Sequence, residues 1–400
     1  MSLSHILLFT VNAFGTGMTM PVLALLYLSH GATMETLPIC TGVFTAAVVL
    51  LELPSGIMSD LMGRKRVYLL SAACMSLSYL LLLFSDRFLF LAVICGITGA
   101  SRAFSSGTIE ALEIENYMKR HGSQGLETIN SKMAVITNVG TTLGSITGGF
   151  LGALGDHYRG FLIIEFLLYL FLFIMAACFV REIRPETASS APPLRAQLNQ
   201  QLQAIRDCLE HSRPVSAVIL TAVALGMTYG TLELYWQPRL QTLLPPHFQW
   251  IFGFAVFLGC VGNSFGQKQT ALWLQRRNSR LSRQGIWRLY WLFRFLVILS
   301  VAILGYVRQV WLFFLVFALF YTFAGAGDLI ENTVFHTAIE NRQRASMMSL
   351  LSLSLRGGGL VMSLLGSVIT AGLSADAVWL LIPGLAAAMV AGIMGSFSME

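Results

Sequence analysis

Charged residues are scarce in this sequence. Asp, Glu, Lys and Arg make up 12% of its 400 residues, whereas ordinary soluble domains carry roughly 25%. Apolar residues reach 55% of the chain, and many of them fall in runs long enough to cross a bilayer. The composition therefore argues against a soluble enzyme or binding domain and predicts a protein whose solvent is lipid.

Several chemical motifs are also missing. The chain has no C-x-x-C pair, no cysteine and histidine cluster, no P-loop, no dinucleotide fingerprint and no nucleophile elbow with partners. These absences argue against a disulfide framework, a zinc site and ATP-driven chemistry. We expect no enzyme activity, no cofactor and no metal. The six cysteines are scattered, mostly within apolar runs, at Cys40, Cys74, Cys95, Cys178, Cys208 and Cys260.

The net charge of +6 does not indicate nucleic acid, because the cations are divided among short loops instead of gathering on one domain. Twelve apolar runs separate these loops, and we predict a membrane helix for each. They lie near residues 5–29, 37–59, 67–84, 88–108, 131–154, 160–180, 214–236, 249–267, 289–306, 310–332, 346–371 and 376–397. The sequence thus predicts an all-α membrane protein with twelve transmembrane helices.

The positive-inside rule gives the orientation. If the N-terminus is cytoplasmic, the inner loops hold nineteen Lys and Arg residues and the outer loops hold four. This asymmetry predicts a multi-pass protein of the cell (inner) membrane with both termini in the cytoplasm. Its expected partners are the lipid bilayer, a small-molecule substrate and protons, and we expect a monomer.

The longest hydrophilic interruption, residues 181–213, divides the runs six and six. It contains Pro185, Pro192 and Pro193 and then a polar stretch, which predicts a cytoplasmic linker with an amphipathic helix. The predicted domains are therefore an N-terminal six-helix bundle at 1–180 and a C-terminal six-helix bundle at 214–400.

A short polar turn joins the second and third apolar runs. It reads GIMSDLMGRKR, and its glycines suit close backbone approach and a tight turn. Asp60 can cap a helix N-terminus, and Arg64 can reach a carboxylate on a neighbouring helix. Glu110 and Glu113 share one helical face at the cytoplasmic end of the fourth run. The predicted conformational latch comprises Gly56, Asp60, Gly63, Arg64, Lys65, Arg66, Glu110 and Glu113.

The spacing G-x-x-x-D-x-x-G-R-K-R in this turn resembles the loop signature of the major facilitator superfamily, a group of alternating-access transporters with twelve membrane helices. The resemblance implies two pseudo-symmetric six-helix bundles. It also implies that Arg64 meets an acidic residue at the end of the fourth helix and that Asp60 meets the eleventh helix near Ser346. The stretches Arg102–Gly107 and Glu52–Gly56 resemble a subgroup of small prokaryotic facilitators often grouped with drug exporters.

Ionisable residues inside the hydrocarbon are costly and are candidates for function. Arg102 needs an anion, and Glu52 can lie at a similar depth, so a buried pair is expected, either structural or functional. Arg294 is close enough to the cytoplasmic end of its run to reach water, and Glu165 lies near the outer surface. We therefore assign proton coupling or buried charge to Glu52, Arg102, Asp328, Glu331 and Arg356.

Asp328 and Glu331 lie three residues apart on one helical face. Two carboxylates so close together in low dielectric do not both ionise easily, so they are the preferred proton carriers, unless Arg356 or the basic loop neutralises them. Tyr229, Glu233 and Trp236 recur at helical spacing and could line a substrate cavity. A membrane-interface belt explains Trp236 equally well.

The fifth run carries glycines at the spacing of close helix packing. It resembles the antiporter signature G-x-x-x-G-P-x-x-G-G, except that Ser145 replaces the proline. The antiporter-like glycine face consists of Gly140, Gly144, Gly148 and Gly149. A generic small-residue helix interface is the alternative.

These observations favour a secondary active transporter that works by alternating access, with proton-coupled efflux of small amphipathic compounds as the preferred function. One alternative is a proton-linked importer or metabolite carrier of the same fold. The other is a non-transporting membrane scaffold or receptor, which would not need buried carboxylates.

Overall fold

The regular structure of the chain is helical. The computed structural model describes residues 3–106, 108–121, 126–153, 156–180, 206, 212–245, 248, 250–277, 282–338 and 344–398. Within these ranges the first half of the chain forms α1 (Leu3–Thr19), α2 (Leu23–Ser29), α3 (Leu37–Met62), α4 (Arg64–Leu82), α5 (Phe88–Ser105), α6 (Thr108–His121), α7 (Leu126–Ala153), a 3-10 turn (Asp156–Tyr158) and α8 (Arg159–Phe179).

The described residues of the second half form six long helices. They are α9 (Arg213–Leu243), α10 (Ile251–Arg277), α11 (Arg283–Leu304), α12 (Val310–Ala338), α13 (Arg344–Gly372) and α14 (Ala375–Ser398). The predicted amphipathic helix of the linker lies outside the described residues, apart from Arg206 and the last two residues of the linker.

Eight helices of the described part are long and apolar enough to cross a bilayer, and nine if α1 and α2, which meet at a bend of 59°, form one span. The helices α3, α7 and α10 have 26, 28 and 27 residues, which is sufficient length. With them, the described helices account for all twelve predicted runs.

The chain divides into two compact units. The first comprises Met1–Ser190 with Leu244–Phe257, and the second comprises Ala191–Leu243 with Leu258–Glu400. Because the linker lies outside the described residues, the domain boundaries predicted at 180 and 214 stay predictions.

Within the first unit, α1 packs against α7, α3 against α5, and α4 against α8. The contact between α1 and α7 is a backbone contact, since a methyl group added at Gly144 would overlap the carbonyl oxygen of Phe14. Glycine is required there because no side chain fits between the two helices.

The second unit repeats this pairing pattern. Here α9 packs against α13 and α11 against α14, while α10 and α12 approach each other closely enough that a methyl group at Gly266 would overlap the carbonyl oxygen of Thr322. Gly226 of α9 and Gly358 of α13 likewise have no room for a side chain. The first and fifth, second and fourth, and third and sixth spans therefore pair in each half, which is the arrangement expected of two related six-helix bundles.

Candidate functional site

The second unit contains a fully buried guanidinium group. Arg294 lies on α11, and its side chain has 0% exposed surface. Its Nη1 donates to Asp328 Oδ1 at 3.0 Å and its Nη2 donates to Glu331 Oε2 at 2.5 Å. Both carboxylates belong to α12, where a spacing of three residues puts them on the same face. One arginine fork therefore holds two acidic residues of the neighbouring helix.

The surroundings of this cluster fix the arginine. Tyr290, one turn earlier on α11, donates from its hydroxyl to Glu331 Oε2 at 3.2 Å, and its ring lies 5.2 Å from the guanidinium carbon of Arg294. Gly327 leaves space for the guanidinium, because a Cβ atom there would lie 2.8 Å from Arg294 Nη1. Residues Tyr290, Arg294, Gly327, Asp328 and Glu331 are called the charge cluster below.

The two carboxylates of the charge cluster differ in their exposed surface. The Glu331 side chain is 12% exposed, whereas that of Asp328 is 40% exposed. With one cation and two ionised carboxylates, the cluster carries a net charge of −1. A single proton would therefore make it neutral, and Asp328 is the more exposed of its two carboxylates.

The prediction that Arg294 reaches water is wrong. Its guanidinium instead turns toward two carboxylates at the same depth, and Gly327 provides the room. The alternative that Arg356 or the basic loop neutralises the two carboxylates did not include Arg294, and for Arg356, which is half-buried on α13, it stays a prediction. The sequence did contain one indication of this cluster: Tyr290 and Arg294 are four residues apart and therefore lie on the same face of their helix.

The three residues predicted to line a substrate cavity lie in different surroundings. Trp236 is buried and packs against Phe317 with ring centroids 5.2 Å apart. Tyr229 contacts Phe320 edge to face at 5.5 Å and lies within electrostatic reach of the charge cluster. Glu233 is exposed on α9. Trp236 thus belongs to the packing of the second unit, and the substrate-cavity role of these three residues stays a prediction.

In the first unit, the predicted pair of Glu52 and Arg102 stays a prediction. Helices α3 and α5, which carry them, pack together. Glu52 is half-buried, whereas Arg102 is exposed on α5.

The turn between α3 and α4 is a single glycine. Gly63 has a φ of +93°, which a residue with a side chain adopts only with strain, so this glycine is required by the turn. The Lys65 ammonium group donates to the carbonyl oxygen of Ala177 at 2.7 Å, at the C-terminal end of α8, where a cation is favourable. At Gly56 the predicted close backbone approach is wrong, since a Cβ atom there would meet nothing within 4 Å.

The acidic end of the fourth span is part of α6, which packs against α4. Glu113 is buried, and its carboxylate contacts the ring of His5 on α1. Glu110 is exposed. The sequence did not identify His5 as a partner. Arg64 and Arg66 begin α4, and the side chain of Asp60 lies outside what the structure describes.

The glycines of α7 face two neighbours. Methyl groups at Gly144 and Gly148 would overlap the carbonyl oxygens of Phe14 and Met18, and one at Gly140 would lie 2.9 Å from the carbonyl oxygen of Thr10. Gly149 instead faces Gly253 at the start of α10. A Cβ atom added at Gly149 would lie 2.6 Å from the amide nitrogen of Gly253. The hydroxyl of Ser145, which replaces the signature proline, donates to Thr142 O at 2.9 Å within α7.

The fold and the buried charges define the class of protein: a multi-pass helical membrane protein with ionisable groups held between its helices. The family model described as Major Facilitator Superfamily matches residues 6–327. The chain therefore belongs to the major facilitator superfamily, whose members have twelve helices in two bundles and are transporters, not enzymes. The predicted fold class and family are thus confirmed.

Relatives with partial matches include transport proteins of bacteria. The chain is 32% identical over 176 residues, 41% of each chain, to a class B tetracycline resistance protein of Escherichia coli. It is 29% identical to the class H protein of Pasteurella multocida over 47% of this chain and 46% of that protein. It is 24% identical to the uncharacterised transporter YxaM of Bacillus subtilis over 58% and 57%. The chain thus matches less than three fifths of the length of each.

Solved structures share the whole fold. A mutant form of the nucleoside transporter NupG superimposes with a TM-score of 0.80 over 99% of both chains at 14% identity. A bacterial homologue of the human lysosomal transporter Spinster, in an inward-facing and unoccupied conformation, gives a TM-score of 0.68 over 98% of this chain and 93% of that chain, also at 14% identity. At such identities the likeness concerns the fold alone.

Proposed function

We propose that this chain exports small amphipathic compounds across the cell membrane by alternating access, driven by protons that enter in exchange. The observation that carries the proposal is the charge cluster, in which one proton changes a buried net charge of −1 to zero. Moving a charged group through an occluded, low-dielectric state is far costlier than moving a neutral one. The export direction is supported by the similarity to the two tetracycline resistance proteins.

Asp328 is our assigned proton acceptor. Its side chain is 40% exposed, against 12% for Glu331, and we therefore assign to it the exchange of a proton with water. Glu331 is only 12% exposed and accepts hydrogen bonds from Arg294 and from the Tyr290 hydroxyl, so we assign it to the contact with the cation and Asp328 to proton exchange. Protonation of Asp328 would leave a neutral pair of Arg294 and Glu331 in the core, ready for the change of conformation.

We further propose that the protein lies in the inner membrane with both termini in the cytoplasm and acts as a monomer. The distribution of nineteen inner-loop and four outer-loop cations in the sequence supports this orientation.

The proton-coupling role of Asp328 predicts a specific defect in Asp328→Asn. Everted membrane vesicles containing the wild type are expected to dissipate a preformed ΔpH when tetracycline or another amphipathic drug is added. The variant should lose this response while it still exchanges labelled drug across vesicles without a gradient. The exchange should survive because the neutral amide preserves the remaining pair of Arg294 and Glu331.

Asp376→Asn is the matched control, because this carboxylate is 75% exposed and lies at the start of α14. It should behave as the wild type. If Asp328→Asn still couples drug movement to ΔpH, the assignment of Asp328 fails. Drug accumulation in the opposite direction would instead indicate an importer, and no drug-dependent response across a broad panel would favour the scaffold.

The turn before α4 leads to a second prediction. We expect Asp60→Asn and Arg64→Ala to impair transport without preventing membrane insertion. Each substitution removes an interaction that we assign to one conformation only, so the populations of inward-open and outward-open states should shift. The measurement is the labelling of single cysteines placed on the two faces of the membrane. Labelling identical to that of the wild type in both variants would disprove the latch.

A further inference from the structure

Besides the largely buried Glu331 and Glu113, another buried carboxyl group is that of Glu165, in the first unit. Glu165 of α8 has no exposed surface. Its Oε1 accepts a hydrogen bond from the Thr19 hydroxyl at 3.1 Å, while its Oε2 has no hydrogen-bond partner among the described residues. Helices α1 and α4 cover this side chain, and its predicted position near the outer surface stays a prediction.

Hydroxyl groups and aromatic rings surround this carboxyl group. The Thr19 oxygen lies 2.6 Å from the Tyr79 hydroxyl, and the Tyr79 ring stacks on Tyr169 with centroids 5.7 Å apart. Thr19 has one proton, so when it donates to Glu165 the Tyr79 hydroxyl must donate to Thr19. The unpartnered Oε2 faces Gly15, where an added Cβ atom would lie 3.3 Å away.

The charged and titratable groups near Glu165 do not include a contacting cation in the part of the chain that the structure describes. Helix α1 contributes Thr19 and Gly15, α4 contributes Tyr79, and α8 itself contributes Tyr169. Tyr27 of α2 acts electrostatically on Tyr79, and Arg102 of α5 acts on Tyr169.

This arrangement favours the neutral form of the acid. An ionised carboxylate buried without a cation, with one oxygen lacking any donor, carries a large desolvation cost. A carboxylic acid in the same place carries a far smaller cost. The surrounding lipid increases the difference, because no bulk water is available to the ionised form.

The position of the bond links this acid to a bend. Thr19 is the last residue of α1, and the chain turns by 59° between α1 and α2. The hydrogen bond between Thr19 and Glu165 therefore joins the end of α1 to α8 where the first span changes direction. Separation of α1 from α8 at this point would admit water to the carboxyl group.

From these contacts we propose that Glu165 is a proton-binding site of the first unit. It carries a proton in the conformation described here and releases that proton as a hydrated H⁺ when the end of α1 separates from α8. The resulting carboxylate is then solvated by the water that enters. The inference rests on the proposed proton coupling and adds to it a second proton site, coupled to the bend of the first span.

The protonation state can be tested by infrared spectroscopy of the full-length protein in proteoliposomes. At neutral pH the wild type should show the carbonyl stretch of a neutral, weakly hydrogen-bonded carboxylic acid. The band should be lost in Glu165→Gln and kept in Glu35→Gln, whose glutamate is exposed in the loop before α3. Absence of the band from the wild type, or its persistence in Glu165→Gln, would overturn the proposal.

The link to the bend needs a second measurement. Spin labels at Met20 and Ile163, both exposed, report the distance between the bend and α8 in a background without native cysteines. Raising the pH should move the wild type toward longer distances, whereas Glu165→Gln should keep the short distance at every pH. The same pH dependence in Glu165→Gln and the wild type would contradict the proposal.

If Glu165→Gln does not fold, the variant Thr19→Val tests the proposal in its place. It retains the acid and removes its hydrogen bond, so the infrared band should shift. An unshifted band would mean that the acid observed lies elsewhere. Both measurements are made without drug or gradient, so they are distinct from the vesicle assay, whose failure would count against proton-coupled efflux and not against protonation of Glu165.

Discussion

Replacing Arg294 with methionine is expected to leave little stably folded protein. The substitution removes the cation that contacts Asp328 and Glu331 and strands the less exposed carboxylate in the core. Breaking a buried ion pair by removing one partner costs about 3–5 kcal/mol, a large share of the roughly 5–15 kcal/mol that stabilises a typical domain. The yield of monodisperse protein after extraction in detergent and its thermal melting temperature are the measurements.

A charge-neutral triple variant distinguishes this explanation from simple loss of packing. Arg294→Met combined with Asp328→Asn and Glu331→Gln removes all three charges, so no buried charge is left without its counter-ion, which is the source of the large cost. We expect it to recover most of the wild-type stability while it remains unable to couple transport to protons. The explanation fails if the triple variant is as unstable as Arg294→Met or if Arg294→Met melts like the wild type.

Arg294→Lys is a useful intermediate. Lysine keeps the charge but lacks the planar fork that reaches both carboxylates at once. Its stability should lie between those of the wild type and Arg294→Met.

The role of Arg294 also explains why the single variant Asp328→Asn is the sharper test of proton coupling. Replacing both carboxylates together would leave the buried guanidinium without either of its partners.

Alanine substitution in the glycine face of α7 is expected to destabilise the first unit. A methyl group at Gly144 or Gly148 would overlap a carbonyl oxygen of α1, so the two helices must move apart. Overpacking of this kind costs typically about 1–3 kcal/mol per site. The Gly144→Ala/Gly148→Ala variant should therefore melt at a clearly lower temperature than the wild type and transport more slowly.

The control for this effect is Gly392→Ala on α14. Gly392 is also helical, but a Cβ atom there would meet nothing within 4 Å. Alanine is favoured over glycine within a helix by about 1 kcal/mol, so this substitution should be neutral or slightly stabilising. If all three alanine substitutions had the same effect on melting, the close contact between α1 and α7 would not be the cause.

The sequence by itself determined the helical membrane architecture. Hydropathy along the chain located all twelve apolar runs, because a span must satisfy its backbone hydrogen bonds internally and cover itself with apolar side chains. The turn signature and the basic loops indicated the superfamily. The requirement for glycine at Gly63 and the glycine spacing of α7 were also visible, since turns and helix faces depend on residues close in sequence.

Only the tertiary structure decided which buried charges meet. Asp328 and Glu331 were recognised from their spacing on one helix, but their partner Arg294 lies 34 and 37 residues earlier on another helix. The position of Glu165 along α8 could likewise be counted in the sequence, but its neighbours Thr19 and Tyr79 come from helices far away in the chain. Depth along a span can be counted in a sequence, whereas rotation and pairing between helices depend on side-chain packing across the bundle. The proximity of Arg294 to its two carboxylates, and the Glu165 oxygen that has no hydrogen-bond partner among the described residues, could therefore be established only from the folded chain.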